Sequence, residues 1–80
     1  MKKFYFVGGP KTGKSEVFFR RLEQIGGTPP SWRIYPHAGN DGKALHIADV
    51  ESQDEILNHL QHFDDIYEWS EIVEIIETQQ

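Results

Sequence analysis

Residues 31–50, which read SWRIYPHAGNDGKALHIADV, decide the fold of this chain. The runs at 31–37 and 43–50 are rich in aromatic, β-branched and other apolar residues, a composition typical of β-strands. Between them, the sequence Ala38-Gly39-Asn40-Asp41-Gly42 consists largely of residues that tolerate positive φ and favour turns. Because two strands joined by a short turn run antiparallel, the stretch predicts an antiparallel hairpin.

The segment before the hairpin predicts one strand and one helix. Residues 2–7 are mostly aromatic and β-branched and are followed by Gly-Gly-Pro, which indicates a strand that ends at a breaker. From residue 14 to residue 25 the apolar period becomes helical, with one apolar face formed by Phe18, Leu22 and Ile25. Thr12 or Ser15 is expected to cap this helix, and the Gly-Gly pair at 26–27 is expected to end it.

The segment after the hairpin predicts a second helix and a last strand. Ser52 and Glu55 have the spacing of a capping box, which indicates the start of a helix over residues 52–62. The Asp-Asp pair at 64–65 interrupts the pattern, and residues 66–69 are expected to form a further turn. Residues 71–77 are rich in isoleucine and valine, which indicates a last strand that is apolar on both faces.

The predicted order of elements is β-α-β-β-α-β, within one domain that covers residues 1–80. Right-handed crossover connections then place four strands in one antiparallel sheet, with both helices on one face. The sequence therefore predicts an α+β protein with the ferredoxin-like arrangement.

The predicted sheet is apolar on both faces, although helices cover only one of them. In the first strand, Phe4 and Phe6 alternate with Tyr5 and Val7. In the third strand, a similar alternation separates Leu45 and Ile47 from Ala44, Ala48 and Val50. The second face needs a cover, and a second copy of the same sheet is the simplest one. We therefore expect a homodimer that buries the sheet face opposite the helices.

Several segments together resemble a short, uncharacterised bacterial family of the dimeric α/β-barrel superfamily, which also includes muconolactone isomerases and antibiotic-biosynthesis monooxygenases. The resemblance covers nearly the whole chain, and its most specific element is the Gly-Gly-x-Pro-Pro sequence at 26–30. The other matching residues are the leading Met-Lys-Lys-Phe, Arg21-Leu22-Glu23, His37 with Asn40-Asp41-Gly42, Asp49-Val50-Glu51, and Phe63-Asp64-Asp65-Ile66-Tyr67-Glu68-Trp69.

The resemblance implies a ferredoxin-like fold, a dimeric α/β barrel and a homodimer, but no particular reaction. In that superfamily the chemistry takes place in a pocket between sheet and helices. In this chain the corresponding residues would be Phe6, Phe18, Tyr35 and His37. His37 is the first candidate for acid-base catalysis, because histidine ordinarily titrates near neutral pH, and Tyr35 is the second. Such chemistry would need no cofactor.

A second motif points to a different function. Residues 8–15 read GGPKTGKS, which satisfies the phosphate-loop pattern G-x-x-x-x-G-K-[ST]. That loop belongs to parallel sheets in larger domains, where its backbone amides hold phosphates at the start of a helix. In an antiparallel sheet the same residues predict a flexible connection with solvated Lys11 and Lys14. Nucleotide binding is therefore the weaker alternative.

The composition excludes other classes of function. A net charge of −5 argues against nucleic acid and anionic membranes as partners, and the chain contains no cysteine. His59 and His62 are expected to lie at the surface, and no metal site is predicted. With no apolar run of membrane-spanning length and no visible signal peptide, we expect a cytoplasmic protein.

Two functions remain open at this point. In one, the protein binds or transforms a small organic molecule in a pocket between sheet and helices. In the other, it is a non-catalytic homodimeric module that regulates or scaffolds a partner.

Overall fold

A computed structural model describes residues 1–36 and 42–76, and it contains five strands and two helices in these ranges. In chain order they are β1 (Lys2–Pro10), α1 (Ser15–Gln24), β2 (Trp32–Pro36), β3 (Ala44–Val50), α2 (Gln53–Leu60), β4 (Tyr67–Trp69) and β5 (Val73–Ile75). One turn of 3₁₀ helix, Gln61–Phe63, continues α2.

All strand pairs of the sheet are antiparallel. The strand order is β2-β3-β1-β4, and β5 also pairs with β1. Strand β3 lies between β1 and β2, with Lys2 opposite Val50 at one end and Gly8 opposite Ala44 at the other. The predicted antiparallel hairpin is confirmed, although its turn residues Asn40 and Asp41 lie outside the described residues. The fold is α+β, and it is consistent with the ferredoxin-like arrangement.

The prediction of four strands was wrong, because two short strands occupy one edge of the sheet. Strand β4 pairs with Gly8–Pro10 and β5 pairs with Lys3–Tyr5. Residues 66–69 were expected to form a turn, but Tyr67 and Trp69 alternate with an exposed glutamate and pair as a strand. Between these two pairings, Ser70 bonds to Val7 of β1. The Ser70 N–H donates to the Val7 carbonyl at 2.7 Å, and its Oγ accepts from the Val7 N–H at 2.9 Å.

Strand β1 and helix α1 differ from the predicted bounds. The strand continues to Pro10 instead of ending at residue 7, because Gly8–Pro10 pair with β4. The N-cap of α1 is Lys14, and no side chain caps the helix, so neither Thr12 nor Ser15 has the expected role. The predicted glycine stop is present: Gly26 and Gly27 have φ of 97° and 89°.

The predicted capping box of the second helix is confirmed. Ser52 is the N-cap of α2, and its backbone N–H donates to the Glu55 carboxylate at 3.3 Å. The α-helix ends at Leu60, earlier than expected, and the chain then tightens into the 3₁₀ turn. That turn places Phe63 in the core.

The core lies between the helices and one face of the sheet, which we call the inner face. Alternation along β1 and β3 directs Phe4, Phe6, His46 and Ala48 to this face. The other core residues are Val50, Ile56, Leu60, Phe63, Ile66 and Tyr67, with Phe18 and Leu22 of α1 packed against them. Both helices therefore cover the inner face.

The opposite face of the sheet, which we call the outer face, is also rich in apolar side chains. The register places on it Tyr5, Val7, Tyr35, Leu45, Ile47, Val73 and Ile75. Tyr5 and Tyr35 are 38% and 45% exposed. The polar groups among them include Lys3 and Asp49, whose side chains form an ion pair at 3.6 Å. The predicted alternation of two apolar faces is thus present.

Candidate functional site

A cavity of about 170 Å³ lies between the inner face and the two helices. Its walls are mostly aromatic and aliphatic, and they include Phe18, Leu22, Trp32, Ile34, Leu60 and Phe63. Two polar side chains of its lining, His46 and Tyr67, are almost completely buried. The cavity therefore combines apolar walls with a single buried polar pair.

Small residues of the sheet line one end of the cavity. At one end of the sheet, Phe4 and Phe6 fill the inner face. At the other end, Gly8 lies opposite Ala44, and both residues line the cavity. Ala44 brings no large side chain to the cavity, whereas the space beside Gly8 is filled by the ring of Tyr67, which a Cβ there would meet at 2.9 Å.

His46 is held by three neighbours. Its Nδ1 lies 2.9 Å from the carbonyl oxygen of Ala44, and its Nε2 lies 3.2 Å from the hydroxyl oxygen of Tyr67. Its ring stacks on Phe6, with ring centroids 4.5 Å apart and planes 9° apart. These contacts fix both the position and the plane of the imidazole.

The same contacts fix the proton positions of the pair. A carbonyl oxygen can only accept, so Nδ1 of His46 must carry a hydrogen. Burial lowers the pKa of His46, more than the carbonyl of Ala44 raises it, which favours the neutral ring. The neutral ring has one N–H, so Nε2 accepts and the Tyr67 hydroxyl donates to it. Burial also raises the pKa of Tyr67, which keeps the phenol protonated.

His59 is a second histidine at the cavity, and the expectation that it lies free at the surface was wrong. It is half-buried and packs edge-on against Trp32, with centroids 4.9 Å apart. Burial is the main cause that lowers its pKa. His62, by contrast, is exposed as expected.

The lining of the cavity carries no Lys, Arg, Asp or Glu among the described residues. Within residues 1–36 and 42–76, no three His, Cys, Asp or Glu side chains are grouped so that they could hold a metal ion. Neither helix of the described chain has the length and apolar composition needed to cross a bilayer.

The predicted site residues are only partly brought together. Phe18 lines the cavity. Phe6 is fully buried behind the ring of His46, so it supports the cavity without forming its wall. Tyr35 lies opposite Leu45 on the outer face, and its placement in the pocket is corrected. His37 lies outside the described residues.

The phosphate-loop string begins in an antiparallel strand, and two of its amides are bonded to carbonyl oxygens. Its first three residues belong to β1 and pair with β4. The N–H of Lys11 donates to the Ile66 carbonyl at 2.8 Å, and the N–H of Lys14 donates to the Lys11 carbonyl at 2.9 Å. Amides that are committed to carbonyls in this way are not available to phosphate oxygens.

No family model, curated protein or solved structure matches the chain. The interpretation of the site therefore rests on its own geometry.

Proposed function

We propose that the protein binds a small organic molecule, about the size of a single ring, in the cavity between sheet and helices. The observation that carries this proposal is a cavity of about 170 Å³ whose apolar walls surround one buried polar pair. Binding sites commonly combine apolar walls with a few placed polar groups. An engineered apolar cavity of about 150 Å³ is large enough for benzene, so a single ring is the appropriate size here.

The small core of the domain supports the proposal. The cavity is partly open to solvent, so its apolar walls are partly hydrated when nothing is bound. A chain of 80 residues has a small core and little stability to spare. An occupant that removes these walls from water would add to the buried apolar surface.

Titration of the ¹⁵N-labelled protein with single-ring compounds, from toluene to phenol, tests the proposal. We expect saturable amide shifts at cavity residues such as Phe18, His46 and Leu60. Ala44→Leu fills the hollow and should abolish these shifts, whereas Leu45→Met, on the outer face of the same strand, should leave them intact. Shifts that are absent, or that are confined to the outer face, would contradict the proposal.

A second proposal, a homodimer, rests on the outer face. In a chain this small, exposed Tyr5 and Tyr35 beside half-exposed Leu45 and Ile47 form a large apolar surface. We propose that two copies bury this face against each other, which would complete a ferredoxin-like dimeric α/β barrel. This assembly is also compatible with the alternative function, that of a non-catalytic homodimeric module.

The outer face carries charges of both signs. Lys3 and Asp49 neutralise each other within one chain, whereas Arg33, which lies opposite Ile47 on the same face, adds a positive charge. In a two-fold interface each patch meets itself, and such a patch must not repel its own copy. The ion pair of Lys3 and Asp49 meets that condition.

A further inference from the structure

The cavity has a fixed hydrogen-bond polarity, which restricts what it can bind. This inference rests on the proposed function and specifies the chemistry of the ligand. The carbonyl of Ala44 accepts from Nδ1 of His46. The protons of His46 and Tyr67 then determine which of their atoms donate and which accept.

The neutral His46 ring has no second proton to give. Its Nε2 is therefore an acceptor, and the only partner it has among the described residues is the hydroxyl of Tyr67 at 3.2 Å. A phenol hydroxyl has one hydrogen, and this contact uses it. The chain of donors thus runs from Tyr67 through His46 to the Ala44 carbonyl, and it cannot be reversed.

The Tyr67 oxygen still has acceptor capacity. No other described residue hydrogen-bonds to it, although the side chain is buried and lines the cavity. A phenol oxygen that has donated its proton can still accept a hydrogen bond, so a ligand that supplies a donor is favoured. A ligand group that can only accept would find no proton there.

Charge restricts the ligand further. The described lining has no full charge that could pair with an ionised group. An ion that enters an apolar cavity without a counter-charge loses hydration that nothing replaces. Neutral molecules are therefore favoured.

We propose that the cavity selects an uncharged, single-ring molecule whose hydroxyl or N–H group donates a hydrogen bond to the oxygen of Tyr67. Phenol has this chemistry, anisole can only accept, and toluene can do neither. Phenol and toluene are matched in size, so the difference in their affinity reports mainly on polarity, whereas anisole is larger by the methyl group of its methoxy substituent.

Calorimetric titration of the full chain with these three compounds tests the proposal. We expect phenol to bind about three- to tenfold more tightly than toluene or anisole, the range of one net hydrogen bond. In Tyr67→Phe, which conserves the ring, the preference for phenol over toluene should disappear. If phenol binds no more tightly than toluene or anisole, the proposed requirement for a hydrogen-bond donor is overturned, whereas the proposal of small-molecule binding stands. No binding of any of the three would overturn both proposals.

A second measurement does not depend on a variant. Long-range ¹H–¹⁵N correlation spectra of the wild-type protein report which ring nitrogen of His46 carries the proton. We expect protonated Nδ1 and unprotonated Nε2, both with and without phenol. A His46 ring protonated at Nε2 would overturn the inference, since Tyr67 would then be free to donate to the ligand.

Retention of the phenol preference in Tyr67→Phe would also overturn the inference, because the acceptor would lie elsewhere.

Discussion

The ring of Tyr67 lies directly over the backbone of Gly8. A Cβ atom at Gly8 would come within 2.9 Å of Cε2 of Tyr67 and within 3.1 Å of Cβ of Trp69. Glycine is therefore required here for close packing. The cavity and the position of its polar pair both depend on this contact, because the same ring carries the hydroxyl that donates to His46.

Gly8→Ala should destabilise the protein by about 1–3 kcal/mol, the usual cost of overpacking, and should displace the Tyr67 ring. Chemical denaturation measures the first effect and near-ultraviolet circular dichroism the second. Gly13→Ala is the control. No atom lies within 4 Å of its added Cβ, and its φ is +77°, so this change introduces backbone strain without a clash and should leave the Tyr67 ring in place. A Gly8→Ala protein with wild-type stability would contradict the close packing.

The free energy of unfolding should decrease as the pH falls below about 6.5. Burial lowers the pKa of His46 from its ordinary value of 6.5, and burial likewise lowers the pKa of His59. Below pH 6.5 the unfolded chain binds protons that the folded chain does not, so acidification favours unfolding until the folded pKa values are reached. Denaturant titrations between pH 5 and pH 8 measure this slope.

His46→Gln should reduce the slope, because it removes one of the two groups that cause it. His62→Gln, which removes an exposed imidazole, controls for substitution as such. An unchanged slope in His46→Gln would show that the buried ring does not resist protonation.

ATP or GTP with magnesium should not bind specifically, and Lys14→Ala should leave stability and fold unchanged. The reason is geometric: the amides of Lys11 and Lys14 are already bonded to carbonyls. Titration of the labelled protein checks this. Amide shifts that cluster at residues 8–16 and saturate at micromolar nucleotide would show that the motif is functional.

Ile47→Lys should convert the proposed homodimer into a monomer, since it places a second positive charge beside Arg33 in the middle of the outer face, opposite Tyr5. Sedimentation velocity at high micromolar concentration measures the change. Gln53→Lys adds the same charge on an exposed position of α2 and should leave the dimer intact. A wild-type protein that sediments as a monomer would refute the proposed assembly.

The sequence predicted those features that depend on local patterns. The hairpin and the capping box of Ser52 and Glu55 each follow from residues that are close in the chain. The alternation of β3 also predicted its two faces correctly. These signals are local, and the structure has them where they were expected.

The candidate site was less predictable because it depends on pairings between distant segments. His46 and Tyr67 are 21 positions apart, and no spacing rule joins them. Tyr67 belongs to a three-residue strand, too short for its period to be recognised. The face of Tyr35 depends on the register of β2 against β3, which composition does not reveal.

The break at Ser70 has a consequence for aggregation. Long, regular sheet borders act as templates on which further chains add as strands, and fibrils grow in this way. Here one border consists of two three-residue pieces separated by residues 70–72, and the strand on the other border ends at Pro36, which lacks an N–H. The edges of this aromatic-rich sheet are thereby protected against the addition of further strands, while its outer face remains available for the proposed homodimer.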